Sequence, residues 1–409
     1  MDVRQQVTKV WKTSERKVIA SLVRIVRDVG LAEDVAQEAL MAALTDWPAS
    51  GVPERPEAWL MTTAKRRAFN VLRHERVKAA LAPVLAEEEA RSTEAELEMG
   101  IDEDIADDVL KLLFMACHPS LPKDARVALT LRLVAGLSTS DIARAFLTTE
   151  PAIQQRIVRA KRALADARIP FELPRGAELG GRLESVLEVV YLVFNEGYYA
   201  TAGDDVMRPA LQDEALRLGL LLTELAPAEP ETHGLLALME LTASRAAART
   251  DANGDPVLLR DQDRTRWDSA RIARGLQSLE RAGELGGTRG PYQLQAAIAA
   301  VHARGTDWPA IVGLYDALLT LSPSPIVELN RAIAVSFADG PAAALALLDA
   351  LVKEPALARY HLLPSARAEM LERLGRRTEA RAEFVRAADL TDNARQRERL
   401  RRRAAALGD

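Results

Sequence analysis

The amino-acid sequence predicts an all-α protein made of several small helical domains, and three observations support that fold class. The chain has 409 residues, which is too many for one small hydrophobic core. Alanine, leucine and arginine are abundant, and few runs of residues alternate with the period of two that is typical of strands. Apolar residues instead recur at three- and four-residue steps, as they do at Ile153, Ile157, Ala160 and Leu164.

Composition also excludes several classes of protein. No apolar run approaches the roughly 20 residues that span a bilayer, and the first residues lack the apolar segment of a signal peptide. We therefore expect a cytoplasmic protein that has no membrane partner. The single cysteine, Cys117, excludes an internal disulfide and a cysteine-rich zinc site, and a buried apolar role is expected for it.

No pattern in the sequence supports catalysis. The five histidines lack metal-ligand spacing, and neither a glycine-rich phosphate loop nor a nucleophile motif occurs. We therefore expect no catalytic residue, no metal site and no cofactor, and we expect that the protein is not an enzyme.

The distribution of charge is more informative than the net charge of −5. Eleven acidic residues lie between Glu87 and Asp108, where Arg91 is the one base. Without this segment the first 170 residues are strongly basic. A polar, self-repelling segment of this kind predicts an extended acidic linker over residues 81–106.

Two or three helices are predicted over residues 9–47. The helical pattern is interrupted at residues 28–30. The second helix, from about residue 32 to residue 47, places Asp34, Gln37 and Glu38 on one polar face. A loop with three prolines follows over residues 48–56.

The next predicted helix, residues 57–78, has an apolar face that includes Trp59 and Leu60. Its other face is expected to be a basic exterior, and all but one of the charges from Lys65 to Lys78 are positive. Charged faces are usually only solvated, but a stripe of one sign suits a phosphate backbone. The residues of this exterior are Lys65, Arg66, Arg67, Asn70, Arg73, Arg76 and Lys78.

Residues 136–164 have the pattern of a helix-turn-helix. Ser138 is a suitable N-cap for a first helix, and a second helix is expected to begin near Thr149 with Pro151 in its first turn. Glutamine and arginine form bidentate pairs with adenine and guanine, so the polar face suits the major groove. A two-helix surface element with merely solvated charges is the alternative. The polar face contains Gln154, Gln155, Arg156, Arg159, Lys161 and Arg162.

The second half of the chain is predicted to be helical as well. Residues 181–196 and 211–226 are amphipathic, and the segment between them, FNEGYYATAGDD, either lines a small pocket or packs on a neighbouring helix. Residues 251–268 begin with the first spacings of an EF-hand loop. However, Pro256 stands at the obligatory glycine position, so a calcium site is rejected and a charged docking segment around Arg264 and Trp267 is predicted.

A repeat is predicted over residues 291–392. Its spacings of 34 and 36 residues are close to the period of tetratricopeptide helical hairpins, which stack into concave binding surfaces. The three predicted copies contain Ala310, Leu314 and Ala317, then Ala344, Leu348 and Leu351, then Ala380, Phe384 and Ala387.

Taken in order, AEDVAQEAL, a WL-containing helix that ends in arginines, an acidic linker and GLSTSDIA…RIVRAKRAL resemble a bacterial RNA polymerase sigma factor. The resemblance is to the extracytoplasmic-function type (group IV) of the sigma-70 family, in a subgroup with a tetratricopeptide-like extension. It implies region 2 at residues 1–80 and region 4 at 107–169, with the acidic linker between them. A helical extension at 170–288 and tetratricopeptide-like repeats at 289–409 complete the expected organisation.

The resemblance also implies roles for individual residues. Asp34, Gln37 and Glu38 are expected to dock on the clamp helices of the polymerase β′ subunit, and region 4 on the β flap. Lys65, Arg66, Arg67, Asn70 and Arg73 are expected at the −10 promoter element. At the −35 element, Gln154, Gln155, Val158 and Arg159 are expected to face bases, and Arg156 and Lys161 to contact phosphates.

Three alternatives remain open at this point. A transcription regulator could bind DNA through the helix-turn-helix without engaging core polymerase. Such a protein would need neither the expected clamp-docking helix nor the expected −10 helix, yet the sequence contains both. A tetratricopeptide scaffold does not explain the basic helices, and an enzymatic second half has no supporting motif. For the extension, docking on its own regions 2 or 4 and recruitment of a protein partner both stay open.

Overall fold

The computed structural model describes residues 3–79, 105–146, 148–174, 177–198, 202–203, 207–251 and 255–408. The predicted all-α fold class is confirmed in these ranges, where helices dominate. The chain divides into two compact units, residues 1–189 and 190–409, which are described separately below. The predicted acidic linker lies outside the described residues, except for its last two positions.

The first unit consists of seven described helices and the first half of an eighth, which continues into the second unit. They are α1 Val3–Val26, α2 Val29–Ser50, α3 Pro56–Ala79, α4 Ile105–Ala116, α5 Lys123–Leu133, α6 Thr139–Ala145, α7 Glu150–Asp166 and α8 Ala177–Tyr198.

Helix α1 packs against α2, α3 and α4, and the start of α2 is set by a side-chain cap. The backbone N–H of Leu31 donates to Asp28 Oδ1 at 2.8 Å, which satisfies one of the free donors at the helix start. A break before the second helix is confirmed, but it lies at residues 27 and 28, and α2 begins at Val29 rather than near residue 32. Helix α2 continues through Pro48 to Ser50, beyond its predicted end, and Gly51 follows it with a φ of 85°.

The helix-turn-helix has the predicted caps. The backbone N–H of Asp141 donates to Ser138 Oγ at 3.1 Å, and that of Ala152 donates to Thr149 Oγ1 at 3.4 Å. Gly136 lies in the turn before α6 with a φ of 70°, a conformation that favours glycine. The predicted apolar face of α7 is confirmed as its buried face: Ile153, Ile157, Ala160 and Leu164.

The second unit continues from residue 190 of α8. Helices over the predicted segments 181–196 and 211–226 are confirmed, and the residue pairs 202–203 and 392–393 form a short parallel ladder between strands β1 and β2. The remaining helices are α9 Pro209–Leu225, α10 Pro230–Ala243, α11 Ser269–Glu284, α12 Pro291–Arg304, α13 Trp308–Leu321, α14 Pro325–Ala338, α15 Pro341–Ala350, α16 Leu362–Arg373, α17 Arg377–Leu390 and α18 Ala394–Ala406.

Consecutive helices from α12 to α18 pack on one another, but the first predicted repeat is out of register. The second and third copies are buried as expected. In the first copy Ala310 and Ala317 are exposed, and Ile311 and Leu318 are buried in their place. The physical reason is the stacking of Trp308 on Phe337 with ring centroids 4.2 Å apart, which turns this face of α13 inward.

Close packing accounts for the described residues at the start of FNEGYYATAGDD. A Cβ atom on Gly197 would lie 2.4 Å from the backbone nitrogen of Gln212, so only glycine lets α9 approach α8 here. Tyr198 stacks on Phe194 and lies 4.1 Å below the guanidinium of Arg249. Residues 199–201, 204 and 205 of the segment lie outside the described residues.

Cys117 is fully buried, as expected. Its Sγ lies 3.2 Å from Thr130 Oγ1, and burial raises the pKa of the thiol to about 12, so the sulfur stays protonated. Within the described ranges, no group of histidine, cysteine, aspartate and glutamate side chains is arranged to hold a metal ion. None of the helices described has both the length and the apolar character needed to cross a membrane.

Candidate nucleic-acid interface

The predicted polymerase-docking residues lie together on the outer face of α2. Asp34 and Glu38 are exposed and Gln37 is half-buried, while Val35, Ala36 and Ala39 on the opposite face are buried. A shallow open groove lies beside the three polar residues. The helical spacing therefore places them on one face, as the sequence indicated.

This face of α2 is joined to the basic helix α3. Arg67 Nη1 lies 2.9 Å from Glu38 Oε2, and both side chains remain partly exposed. The pair links the predicted docking face to the predicted −10 face. Because an exposed pair contributes little to stability, it leaves both residues available to a partner.

Most of the predicted −10 residues are accessible, with one exception. Arg66, Asn70 and Arg73 are exposed and Arg67 is half-buried. Lys65 is 7% exposed, so its predicted place on the exterior is wrong. The reason is helical geometry: Lys65 follows the buried Ala64 and precedes the buried Ala68 by three residues, which places it at the edge of the apolar stripe.

The four residues of α7 that are predicted to face bases lie on the exposed side of this helix. Gln154, Gln155, Val158 and Arg159 are exposed, and Val158 is 62% exposed although it is apolar. Gln154 Nε2 donates to Glu150 Oε1 at 3.3 Å, which orients its amide along the helix. The exposed side is thus open over two turns.

The two predicted phosphate contacts of α7 are paired within the first unit. Arg156 Nε lies 3.1 Å from Asp124 Oδ2, and Lys161 Nζ is bonded to Glu33 Oε2. Glu33 also accepts from Arg132, with Nη2 and Oε1 2.6 Å apart. An acid on α2 therefore covers the ammonium group of Lys161, and the expected contacts of Arg156 and Lys161 with phosphates stay predictions.

Glu33 belongs to a buried cluster that connects α1, α2, α5 and α7. Glu33 is 8% exposed and Glu15 is 5% exposed, and both lie against Arg132. Desolvation raises the pKa of Glu15 above its usual value, whereas Arg132 opposes that shift. The cluster joins α2 to α5 and to α7 of the helix-turn-helix by charged contacts.

A further contact joins α8 to the bundle around the helix-turn-helix. Ser185 Oγ donates to the carbonyl of Cys117 at 2.6 Å, and Arg182 Nη2 donates to the carbonyl of Phe114 at 3.0 Å. Glu188 pairs with Lys123 and with Arg126, the latter at 3.4 Å. The segment after Pro170 therefore packs on α4 and α5 within the first unit.

Sequence reasoning missed three residues of this arrangement. Met41 is 61% exposed beside Glu38 on the predicted docking face, and its spacing of seven residues from Asp34 is the signal that could have found it. Glu33 pairs with Lys161 of α7 and with Arg132 of α5, but nothing in the sequence indicates contacts between residues so far apart in the chain.

Comparison with known proteins supports this geometry. Residues 10–77 match the model of Sigma-70 region 2, and residues 111–164 match that of Sigma-70, region 4. Residues 182–283 match a family of unknown function, DUF6596. An uncharacterized protein of Rhizobium meliloti (strain 1021), R00370, is 45% identical over 385 residues, which cover 92% of this chain and 90% of the relative.

The two sigma-70 matches contain the elements that form the interface. Region 2 includes α2 with the docking face and α3 with the basic face, and region 4 includes the helix-turn-helix. The match to the relative covers 92% of this chain and therefore extends over residues of both units. Residues 10–77 and 111–164 are thus region 2 and region 4 domains of the sigma-70 type, and they indicate a sigma factor, a protein that recognises promoters and starts transcription by RNA polymerase.

Proposed function

We propose that the protein is a sigma factor of the extracytoplasmic-function type whose activity is set by its helical extension. The observation that carries the proposal is the acidic face of α2, which adjoins a basic helix through the Glu38–Arg67 pair. It is supported by the exposed side of α7, where two glutamines and an arginine lie away from the buried face.

Core docking is assigned to Asp34, Gln37 and Glu38. Two exposed carboxylates with an amide between them suit the basic surface of a coiled coil, such as the clamp helices of β′. Met41 supplies an apolar contact next to them. Region 4 is assigned to the β flap.

Promoter recognition is assigned to α3 and α7. Arg66, Arg67, Asn70 and Arg73 suit the −10 element, where single-stranded bases are held out of the stack by polar and cationic groups. Because Lys65 is buried, it contacts the −10 element only if the side chains around it move apart. Gln154, Gln155, Val158 and Arg159 face the bases of the −35 element, and Arg156 and Lys161 contact phosphates.

The ion pair between Lys161 and Glu33 defines a closed resting form, in which α7 is held against α2. Glu33, which holds Lys161 and Arg132, directly precedes the docking residue Asp34 on α2. Full entry of α7 into the major groove requires that Lys161 exchange this carboxylate for a phosphate. We infer that engagement of core polymerase by α2 loosens the contact and frees α7.

The extension is assigned a regulatory role because α8 bonds to α4 and α5. A displacement of α8 changes the support of region 4, and a partner of the tetratricopeptide-like helices is one source of such a displacement. Docking of the extension on the protein's own sigma regions and recruitment of a protein partner by the extension are thereby two parts of one mechanism.

Core docking is tested with Asp34→Lys. Because the reversed charge faces a basic partner, its affinity for purified core RNA polymerase is expected to fall about tenfold or more. Glu54→Lys, an exposed charge reversal in the loop before α3, is the matched control and is expected to bind normally. Equal affinities of the two variants contradict the assignment.

Regulation through α8 is tested with Glu188→Lys, which places a cation against Lys123 and Arg126. Transcription from the protein's own promoter is expected to change about fivefold or more, the lower end of typical coupling between sites. Glu184→Lys, exposed one turn earlier on α8, is the control. Adding Lys123→Glu to Glu188→Lys restores an opposite-charge pair and is expected to recover much of the change, whereas no effect of Glu188→Lys contradicts the regulatory role.

The alternative function is a helix-turn-helix regulator with a protein-interaction domain that acts without core polymerase. The exposed side of α7 favours it as much as it favours a sigma factor. The acidic face of α2 does not, since a conventional regulator has no use for it.

A further inference from the structure

The second unit contains a cavity that promoter recognition does not use. Its volume is about 290 Å³, slightly below the roughly 300–1,000 Å³ of typical small-molecule sites. It is lined by α12, α13, α14, α16 and α18, together with the segment around Leu258 and Leu259. The cavity therefore lies on the inner side of the stacked helices of the second unit.

A strap of the same chain, residues 255–267, crosses this side of the helices. Asp255 pairs with Arg402 of α18 at one end, and Arg260 pairs with Glu369 of α16 in the middle. At the other end Arg264 Nη2 donates to Thr306 Oγ1 at 2.7 Å, and Trp267 is buried. An open groove between stacked helices would admit an extended peptide, whereas this strap leaves only a compact chamber.

The walls of the chamber are aromatic and apolar. Trp308 and Phe337 are stacked, and His302 meets Trp308 edge-on with ring centroids 5.4 Å apart. Ile311 and Ala334 form the floor between them. Burial lowers the pKa of His302 to about 4, so the imidazole is neutral at physiological pH and adds no charge to the wall.

The polar groups of the chamber include arginines. Arg260, which pairs with Glu369, and Arg399 belong to the described lining. Asn330 and Ser365 add uncharged hydrogen-bonding groups. Because a guanidinium carries several N–H donors that match the geometry of a carboxylate, an apolar chamber lined by arginine suits a ligand that has a flat hydrophobic body and a carboxylate.

We propose that this cavity binds a small aromatic or conjugated carboxylate, whose ring packs between Trp308 and the strap leucines and whose carboxylate is held by Arg399. Ligand binding then fixes the strap on the helices. The site is independent of the promoter-binding residues and of the regulatory role assigned to α8.

The test is a ligand-observed NMR titration of the full-length protein with trans-cinnamate, using cinnamamide as the uncharged counterpart. Cinnamate is expected to bind with a dissociation constant on the order of 1 mM or below, as suits a fragment of its size. Cinnamamide is expected to bind about tenfold or more weakly because it lacks the charge-assisted contact.

Two pairs of variants localise the binding. Ser365→Phe fills the chamber and is expected to abolish cinnamate binding, whereas Ser365→Ala keeps it. Arg399→Gln is expected to weaken binding about tenfold or more, whereas Arg401→Gln, an exposed arginine on the same helix, leaves it unchanged. If Ser365→Phe fails to fold by circular dichroism, the arginine pair decides.

Three results overturn the proposal. They are no binding of cinnamate at 10 mM, equal binding of cinnamate and cinnamamide, and binding that is the same in Arg399→Gln as in the wild type.

Discussion

At the scale of single residues, burial separates the arginines and lysines of the interface into two groups. Arg66, Arg73 and Arg159 are exposed, whereas Lys65 is buried and Lys161 is covered by Glu33. The sequence predicts which residues are basic, but not which of them a neighbouring element covers. The covering acid of Lys161, Glu33, is 128 positions away in the chain, and no local pattern reports such a contact.

Base recognition is tested at this scale with Arg159→Ala. The variant is expected to lose about 1–3 kcal/mol of discrimination at one −35 base pair, since a bidentate contact to guanine disappears. The measurement compares transcription from a set of promoters that carry single substitutions at −35. Arg162→Ala, which removes another exposed arginine of α7, is the control and is expected to weaken all promoters equally. A uniform loss in Arg159→Ala as well assigns that residue to a phosphate instead.

At the scale of elements, capping and periodicity predicted the first unit well. Ser138, Thr149 and the apolar stripe of α7 lie where the pattern placed them, because caps and amphipathic faces are local properties. The first copy of the repeat fails for the opposite reason. There a long-range aromatic stack, Trp308 on Phe337, decides which face of α13 turns inward.

The closed contact between α2 and α7 is tested with a double-mutant cycle of Glu33→Gln and Lys161→Met. Because both side chains are mostly buried, we expect a coupling energy of about 1–3 kcal/mol in the free energy of unfolding. The exposed pair of Arg162 and Asp166 on the same helix is the internal control, with an expected coupling of about 0.3–0.5 kcal/mol. Equal coupling in the two cycles argues against a closed form held by Glu33.

At the scale of the whole molecule, each unit has its own core and its own candidate site. The sequence indicated that the chain extends well beyond the two sigma regions. It placed the boundary at Pro170, whereas α8 continues from the first unit into the second. For the strap over the cavity, the sequence predicted only a charged docking segment around Arg264 and Trp267. Its place on the helices depends on ion pairs such as Asp255–Arg402, which join distant parts of the chain.

The most direct test of the account is transcription in vitro from the DNA upstream of the protein's own coding sequence. Purified core RNA polymerase is combined with the full-length protein or with Asp34→Lys, and the start sites of the transcripts are mapped. We expect transcription from one defined start site that requires the wild-type protein and is lost with Asp34→Lys. Binding to the same DNA with neither core engagement nor start-site-specific transcription would contradict the account and favour a conventional helix-turn-helix regulator.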